Sequence, residues 1–333
     1  MEEERLEEEK KIETEVKEEV ERRPITWVHL VTFAIVTGLC TVLAIFAVIV
    51  APVPPAPGVS GLYIAAAVYV PVSLWFGIWG ALAAYVSCIL LGIYTGMPFL
   101  FLLWWSLADF FEGLVPLAAF RLFKIDPEFK IEKRTTYNII MILLIIDLII
   151  AAFATANPAI GQASPITIGG HTFGLILLLS FILAVVLMIA LIIITKSISW
   201  FFYTLFGVLA ASVVSAIIGA SVVSMGEISA GLTAGLAILG IIIVGVNFLI
   251  AFLDHYTGNP IWRIVLYITI GLTLVLALIF AINVSSKNPA YPIVLFGWGF
   301  GDIIVLSTIG AMLMVTLTPF IKRTQIYIKK WIA

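Results

Sequence analysis

Thr172-Phe-Gly-Leu-Ile-Leu-Leu-Leu-Ser-Phe-Ile-Leu-Ala-Val-Val-Leu-Met-Ile-Ala-Leu-Ile-Ile-Ile-Thr195 runs 24 residues without one ionisable side chain, and Lys196 closes it. A membrane-crossing helix needs about 20 mainly apolar residues. Once this segment is read as a span, the same reading extends in both directions. Ten segments satisfy it, at roughly 25–51, 61–76, 78–95, 99–122, 136–156, 172–195, 199–224, 229–253, 262–284 and 290–320. The second and third are short and meet at Trp75-Phe-Gly-Ile-Trp-Gly80, so they can also form one bent hairpin. The expected fold is all-α, a polytopic transmembrane bundle over 24–321, with a charged stretch at 1–23 and a basic tail at 322–333.

Composition leads to the same class. The chain has 333 residues, 62% hydrophobic and only 11% charged, with mean hydropathy +1.17. Soluble domains carry about 25% charged residues, so the lipid bilayer is the expected solvent. A net charge of -2 argues against a nucleic-acid partner. Eleven of the 20 acids and six of the 18 bases fall in the first 23 residues, where Glu7/Lys11, Glu13/Lys17 and Glu18/Arg22 have helix-supporting i,i+4 spacing. That opening lacks the basic start and short apolar core of a secretory signal. Cys40 and Cys88 lie in apolar runs and read as small buried hydrophobes.

Lys and Arg orient the bundle, since they concentrate in cytoplasmic loops. With Arg22 and Arg23 inside, ten crossings put the Arg121–Arg134 loop, Lys196, Arg263 and the basic tail inside, and leave only Lys287 outside. Both termini are then cytoplasmic, and the Pro52–Pro57 loop and the stretch Asn157–His171 face out. Trp27, Trp200, Trp262 and Trp331 are expected at the inner interface. Small residues mark helix contacts, at Ser212, Ser215, Gly219 and Ala220 on one span and at Ala230, Gly231, Ala234 and Gly235 on the next.

The informative side chains are acids inside spans: Asp109, Glu112, Asp147 and Asp302. Each costs on the order of 2.5–3.5 kcal/mol at a helix centre, and no Lys or Arg lies at comparable depth. Such acids are neutral, line a hydrated cavity, or hold a cation. Trp105-Ser-Leu-Ala-Asp109 and Trp298-Gly-Phe-Gly-Asp302 share a Trp-x-x-x-Asp pattern, which sets ring and carboxyl on one helix face. Both acids lie about 10 residues below the outer end, or ~15 Å deep. An aromatic face above a carboxylate suits an ammonium group. Glu112 shares the face of Asp109, and Pro116 frees the carbonyl of Glu112. The expected ligand site is therefore Asp109, Glu112, Asp302, Trp105 and Trp298, with Asp147 and Trp104 as further candidates. The same residues can instead serve only as hydrogen-bonding and packing contacts between helices.

Other polar residues carry less. His29, His171 and His255 share no spacing and read as interface residues, with no metal site implied. Asn247 reads as a buried hydrogen-bonder, and Asp254–Pro260 as a turn. No nucleophile–base pair, phosphate loop or cofactor motif stands out, so neither an enzyme nor a cofactor is expected.

Tyr69–Tyr85, followed by Ala108-Asp-Phe-Phe-Glu-Gly-Leu-Val-Pro116 and Arg121, resembles the opening half of the membrane-associated sensor domain family of bacterial signalling proteins. Gly297–Asp302 through Thr318-Pro319 resembles that family's closing helix. The first stretch is also similar to the substrate-binding S components of energy-coupling-factor transporters. The resemblance covers about a third of the chain. It implies a small-molecule or cation-binding membrane protein, either a transporter or its substrate-binding subunit. The sensor alternative implies a separate cytoplasmic partner, because no kinase or cyclase domain follows the last span here. A structural subunit of a membrane complex is the third reading.

The charge distribution makes a sided prediction. In cells carrying a Lys130→Cys variant, an impermeant maleimide should label position 130 only after permeabilisation, against a parent chain control for Cys40 and Cys88. Labelling in intact cells would invert the topology.

Overall fold

The computed structural model describes residues 25–52, 58–161, 163–168, 171–224, 230–285, 298–299 and 301–332. The charged opening 1–23, most of the Pro52–Pro57 loop, Lys287 and Gly297 lie outside these, as do the side chains of Ser212, Ser215, Gly219, Ala220 and Ala230. The helices are α1 (Trp27–Val50), α2 (Ala66–Phe76), α3 (Ile78–Tyr94), α4 (Phe99–Trp105), α5 (Leu107–Leu122) and α6 (Arg134–Ala156). A short hairpin follows, β1 (Pro165–Ile168) and β2 (His171–Gly174). Then come α7 (Leu175–Thr195), α8 (Ile198–Ser224), α9 (Ala230–Thr257), α10 (Pro260–Ser285), α11 (Gly301–Val305), a π-helical turn Leu306–Gly310, and α12 (Ala311–Ile321). Among the described residues every element apart from the hairpin is helical, and each of the ten apolar segments includes helix. The hairpin pairs Pro165 with Gly174 and Ile168 with His171, so the helix expected from 172 begins at Leu175.

Six helices among the described residues are long and apolar enough to cross a membrane, and α2, α3 and parts of α8 and α10 form shorter apolar helices. Burial sorts them into inner and outer members. In the apolar window of α4–α5, 89% of residues are buried, against 22% for α1. The outer faces are apolar: Ile35, Val42 and Ile49 on α1, Ile142, Ile149 and Phe153 on α6, and Ile268, Leu272 and Val275 on α10 are all exposed. A continuous exposed apolar belt of this size has no place in water and fits lipid tails. The chain is therefore compatible with an integral membrane protein.

The inner layer is α2, α3 and α5, with α8 packed on α5 and α1 on α3. Close backbone approach builds it. A Cβ on Gly80 would sit 2.4 Å from the Ser73 amide nitrogen, and one on Gly113 would meet the Ser73 Oγ at 2.6 Å. Gly240 of α9 does the same against the Leu103 carbonyl of α4. By contrast Gly231 and Gly235, the GxxxG pair of the sequence, face open space. Of the described glycines of α9, Gly240 is the one that a neighbouring backbone approaches closely.

The C-terminal segment departs from the expected tail. Ile328, Trp331 and Ile332 are buried. The Ile328 amide donates to the Trp75 carbonyl (2.8 Å), and the Ile78 amide donates to the Trp331 carbonyl (2.8 Å). Trp79 Nε1 donates to the Ile332 carbonyl at 2.9 Å. Arg121 ties the strap down: its Nε donates to the Lys330 carbonyl (2.8 Å), and one Nη donates to the carbonyls of Leu74 and Ile328. Residues 328–332 thus dock on the folded core, where the strap supplies partners for Arg121 and for the open backbone at the α2–α3 corner. Two of the expected interface tryptophans are also interior. Trp200 is buried against Phe129 (4.6 Å between centroids) and Trp331 against Tyr267 (5.5 Å), whereas Trp27 is exposed and Trp262 half-buried. His29, expected at an interface, is buried and stacks on Phe76 at 5.6 Å.

Gly77 is the corner on which the strap rests. Its φ of 62° and ψ of -146° belong to backbone that essentially only glycine adopts, and a Cβ there would lie 2.3 Å from the Trp331 carbonyl oxygen. Gly77→Ala should destabilise the protein by at least about 1–3 kcal/mol and lower its melting temperature in detergent by several degrees. An unchanged melting temperature would mean that the strap does not dock on this corner.

Candidate functional site

Two devices bring the acids together. On α5, Asp109 and Glu112 lie three residues apart and point the same way; Ser106 joins α4 to α5, so Trp105 ends one helix as Asp109 opens the next. On the other side, α11 starts at Gly301, whose missing side chain lets the helix touch the loop before α2: a Cβ would meet the Gly61 carbonyl oxygen at 2.4 Å. That contact seats Asp302 beside Glu112. Asp109, Glu112 and Asp302 are all 0% exposed, and Trp105 and Trp298 are as deeply buried. The π-helical backbone at Trp298–Gly299 and at Leu306–Gly310 brackets Asp302; such bulges recur at functional sites.

The sequence reading had not singled out two tyrosines that complete the group. Tyr63 donates its hydroxyl to Asp109 Oδ2 at 2.7 Å, and Tyr69 donates to Glu112 Oε2. Tyr63 also bridges the two tryptophan motifs, at 4.8 Å from Trp298, which itself stands edge-on to Trp105 at 6.4 Å. A buried tyrosine hydroxyl needs a partner, and the two tyrosines and two intramembrane acids form matching pairs. Periodicity alone did not reveal this, since Tyr63 precedes α2. Cys88 adjoins both Asp109 and Ser106, so Cys88 is more than an inert apolar filler.

The polar balance of the cluster is incomplete. Asp109 Oδ1, Glu112 Oε1, both oxygens of Asp302 and the Trp298 indole nitrogen have no hydrogen-bond partner. Glu112 and Asp302 adjoin without ordinary hydrogen-bond geometry, as do Trp298 and Asp302. Among the described residues the ion pairs are Arg263–Asp254 and Lys322 with Asp126 and Glu128, so no base neutralises the three acids. Nor is any group of three or more His, Cys, Asp and Glu among these residues arranged to hold a metal ion.

The side chains of Asp109, Glu112 and Asp302 are fully enclosed. Tyr63, Trp105 and Trp298 pack on one another beside them. The further candidates lie apart. Asp147 is buried at the contact of α6 with α7 beside Ser180, and is not among the groups acting on the three acids. Trp104 is buried where the backbone of α4 meets Gly240 of α9. Asn247 is buried and bonds the Ile243 carbonyl on its own helix.

No protein-family model, curated protein or solved structure matches this chain.

Removing the Tyr63 hydroxyl leaves Asp109 with no donor from that side chain while preserving the ring. Tyr63→Phe should cost about 1–3 kcal/mol, the usual price of orphaning a buried acceptor, measured by denaturant unfolding in detergent. A loss below about 0.5 kcal/mol would show that Tyr63 does not serve Asp109.

Proposed function

We propose that the chain is a ten-crossing membrane protein with both termini cytoplasmic, which binds a small cationic ligand as a transporter or as a transporter's substrate-binding subunit. One observation carries the reading: three acids from two separate helical segments meet in a buried, aromatic-walled site that contains no base. Isolated buried charge is too costly to persist uncompensated, so protons or a bound cation must balance it. An alkylammonium group has three N–H donors, and four carboxyl oxygens lack partners here. The rings of Tyr63, Trp105 and Trp298 suit the adjoining methylenes and add cation–π attraction. In the ten-span scheme the helices bearing Asp109 and Asp302 both run from outside to inside, so the acids lie at one depth. A ligand enters such a closed site only if the segment of Trp298 and α11 moves, and the π-helical turns on either side of Asp302 are suitable places for that shift.

The likeness to S components and to membrane-associated sensor domains belongs to this proposal. The sensor reading has its own support. Arg121, which holds the C-terminal strap, lies on the same helix as Asp109 and Glu112. A ligand that displaces α5 would alter the strap, and with it any cytoplasmic partner that reads residues 322–332.

A thermal-shift and calorimetric panel of primary amines, quaternary amines, alkali cations and vitamins tests the site. A primary amine is expected to bind, with affinity lowered at least about 100-fold by Asp109→Asn or Asp302→Asn, as loss of a buried charge partner costs about 3–5 kcal/mol. Both variants should remain monodisperse, because Asn keeps size and hydrogen bonding. Unchanged ligand binding in both would reduce the cluster to a packing contact.

A further inference from the structure

A second site lies away from the acids. A groove of about 590 Å³ runs between the start of α6 and α12, with Arg134 and Asn138 at one end and Met141, Ile145, Met312 and Val315 along its length. We infer that this groove holds one anionic phospholipid, its phosphate on Arg134 and one acyl chain between α6 and α12. The inference rests on the membrane setting of the helices and not on the amine-binding site.

Polarity changes along the groove as it does along a lipid. Arg134 opens α6 and Asn138 lies one turn further, both exposed; the lining then turns wholly apolar through Met141, Ile142 and Ile145. On the opposite wall, α12 contributes apolar Met312 and Val315 together with Thr316. Exposed Ile142 and Met312 continue the apolar belt, with Ile139 and Ile146 beside them. The groove therefore opens toward acyl chains and not toward water. Tyr137 forms its buried inner wall, edge-on to Trp200 at 6.2 Å.

Charge selects the headgroup. Among the described residues Lys130, Lys133 and Arg134 take part in no ion pair, whereas nearby Lys322 is held by Asp126 (2.8 Å) and Glu128 (2.9 Å). A planar guanidinium grips a phosphate through two parallel donors. The first turn of α6 adds to this: Lys133 offers no side-chain cap, so its free amides favour an anion beside Arg134. A zwitterionic lipid would bring its own ammonium toward Arg134, the one base in the lining, which disfavours it.

The test uses the full chain in a neutral detergent, with native mass spectrometry and melting temperature as readouts. The probes are phosphatidylglycerol and phosphatidylcholine with identical acyl chains, and glycerol phosphate as a chainless control. Phosphatidylglycerol should bind at one site and raise the melting temperature more than phosphatidylcholine, and glycerol phosphate should have no effect. Arg134→Gln should weaken phosphatidylglycerol binding about fivefold, which corresponds to about 1 kcal/mol per basic residue at a membrane surface, and leave phosphatidylcholine unchanged. Ile145→Trp, which fills the groove, should weaken phosphatidylglycerol binding in a protein that stays monodisperse. Lys196→Gln should change nothing. Equal binding of the two lipids, preference retained in Arg134→Gln, or preference lost only in a Lys130→Gln/Lys133→Gln variant would overturn the site in favour of no selectivity or diffuse surface attraction.

Discussion

Three enclosed carboxyl groups that no base among the described residues pairs with, in a protein whose outer surface suits lipid, are the constraint on which this structure turns. Enclosing one such group is expensive; enclosing three requires donors placed in advance. Tyr63 and Tyr69 serve Asp109 and Glu112, and they reach the acids only because the inner helices are almost in backbone contact. Gly80 and Gly113 against Ser73, and Gly301 against Gly61, are the points at which any side chain would push those backbones apart. The small residues of the inner helices thus do for the acids what side-chain bulk does for an ordinary core.

The same helix that carries two of the acids ends in the other buried polar device. Arg121 satisfies carbonyls from α2 and from the C-terminal strap, and it uses backbone oxygen as its partner in place of carboxylate. The result is a separation of charge along α5, with acids unbalanced at one level and a cation satisfied at another. This explains why Arg121 does not neutralise Glu112, nine residues earlier. It also makes α5 the mechanical link between the acid cluster and residues 322–332.

Much of this was legible from residue order, and the failures are instructive. The helices follow from apolar runs, since each segment need only be long and uncharged. The paired Trp-x-x-x-Asp motifs identified the acids that meet, because intramembrane acids are rare enough to stand out singly. Tyr63 and Tyr69 escaped notice because tyrosine is common in apolar segments and its partner is distant in sequence. Gly231-x-x-x-Gly235 has the recognised spacing but faces open space, while the isolated Gly240 makes the contact; spacing says which residues permit approach, and only the neighbour's position says which are used. The docking of the C-terminal strap is illegible for a related reason: a basic segment after the last helix suggests a free tail, yet Arg121 and the α2–α3 corner hold its backbone.

By itself, the sequence determined the helical class, the apolar segments and the identity of the costly acids. All of these depend on transfer energies of single residues and on local periodicity. Tertiary structure alone decided that Asp302 adjoins Glu112, that two tyrosines serve the acids, that the site is closed, and that the C-terminal residues belong to the core. Those facts depend on which backbones approach each other over long separations in the chain, and a side chain buried in such a contact is satisfied by a partner that no local pattern specifies.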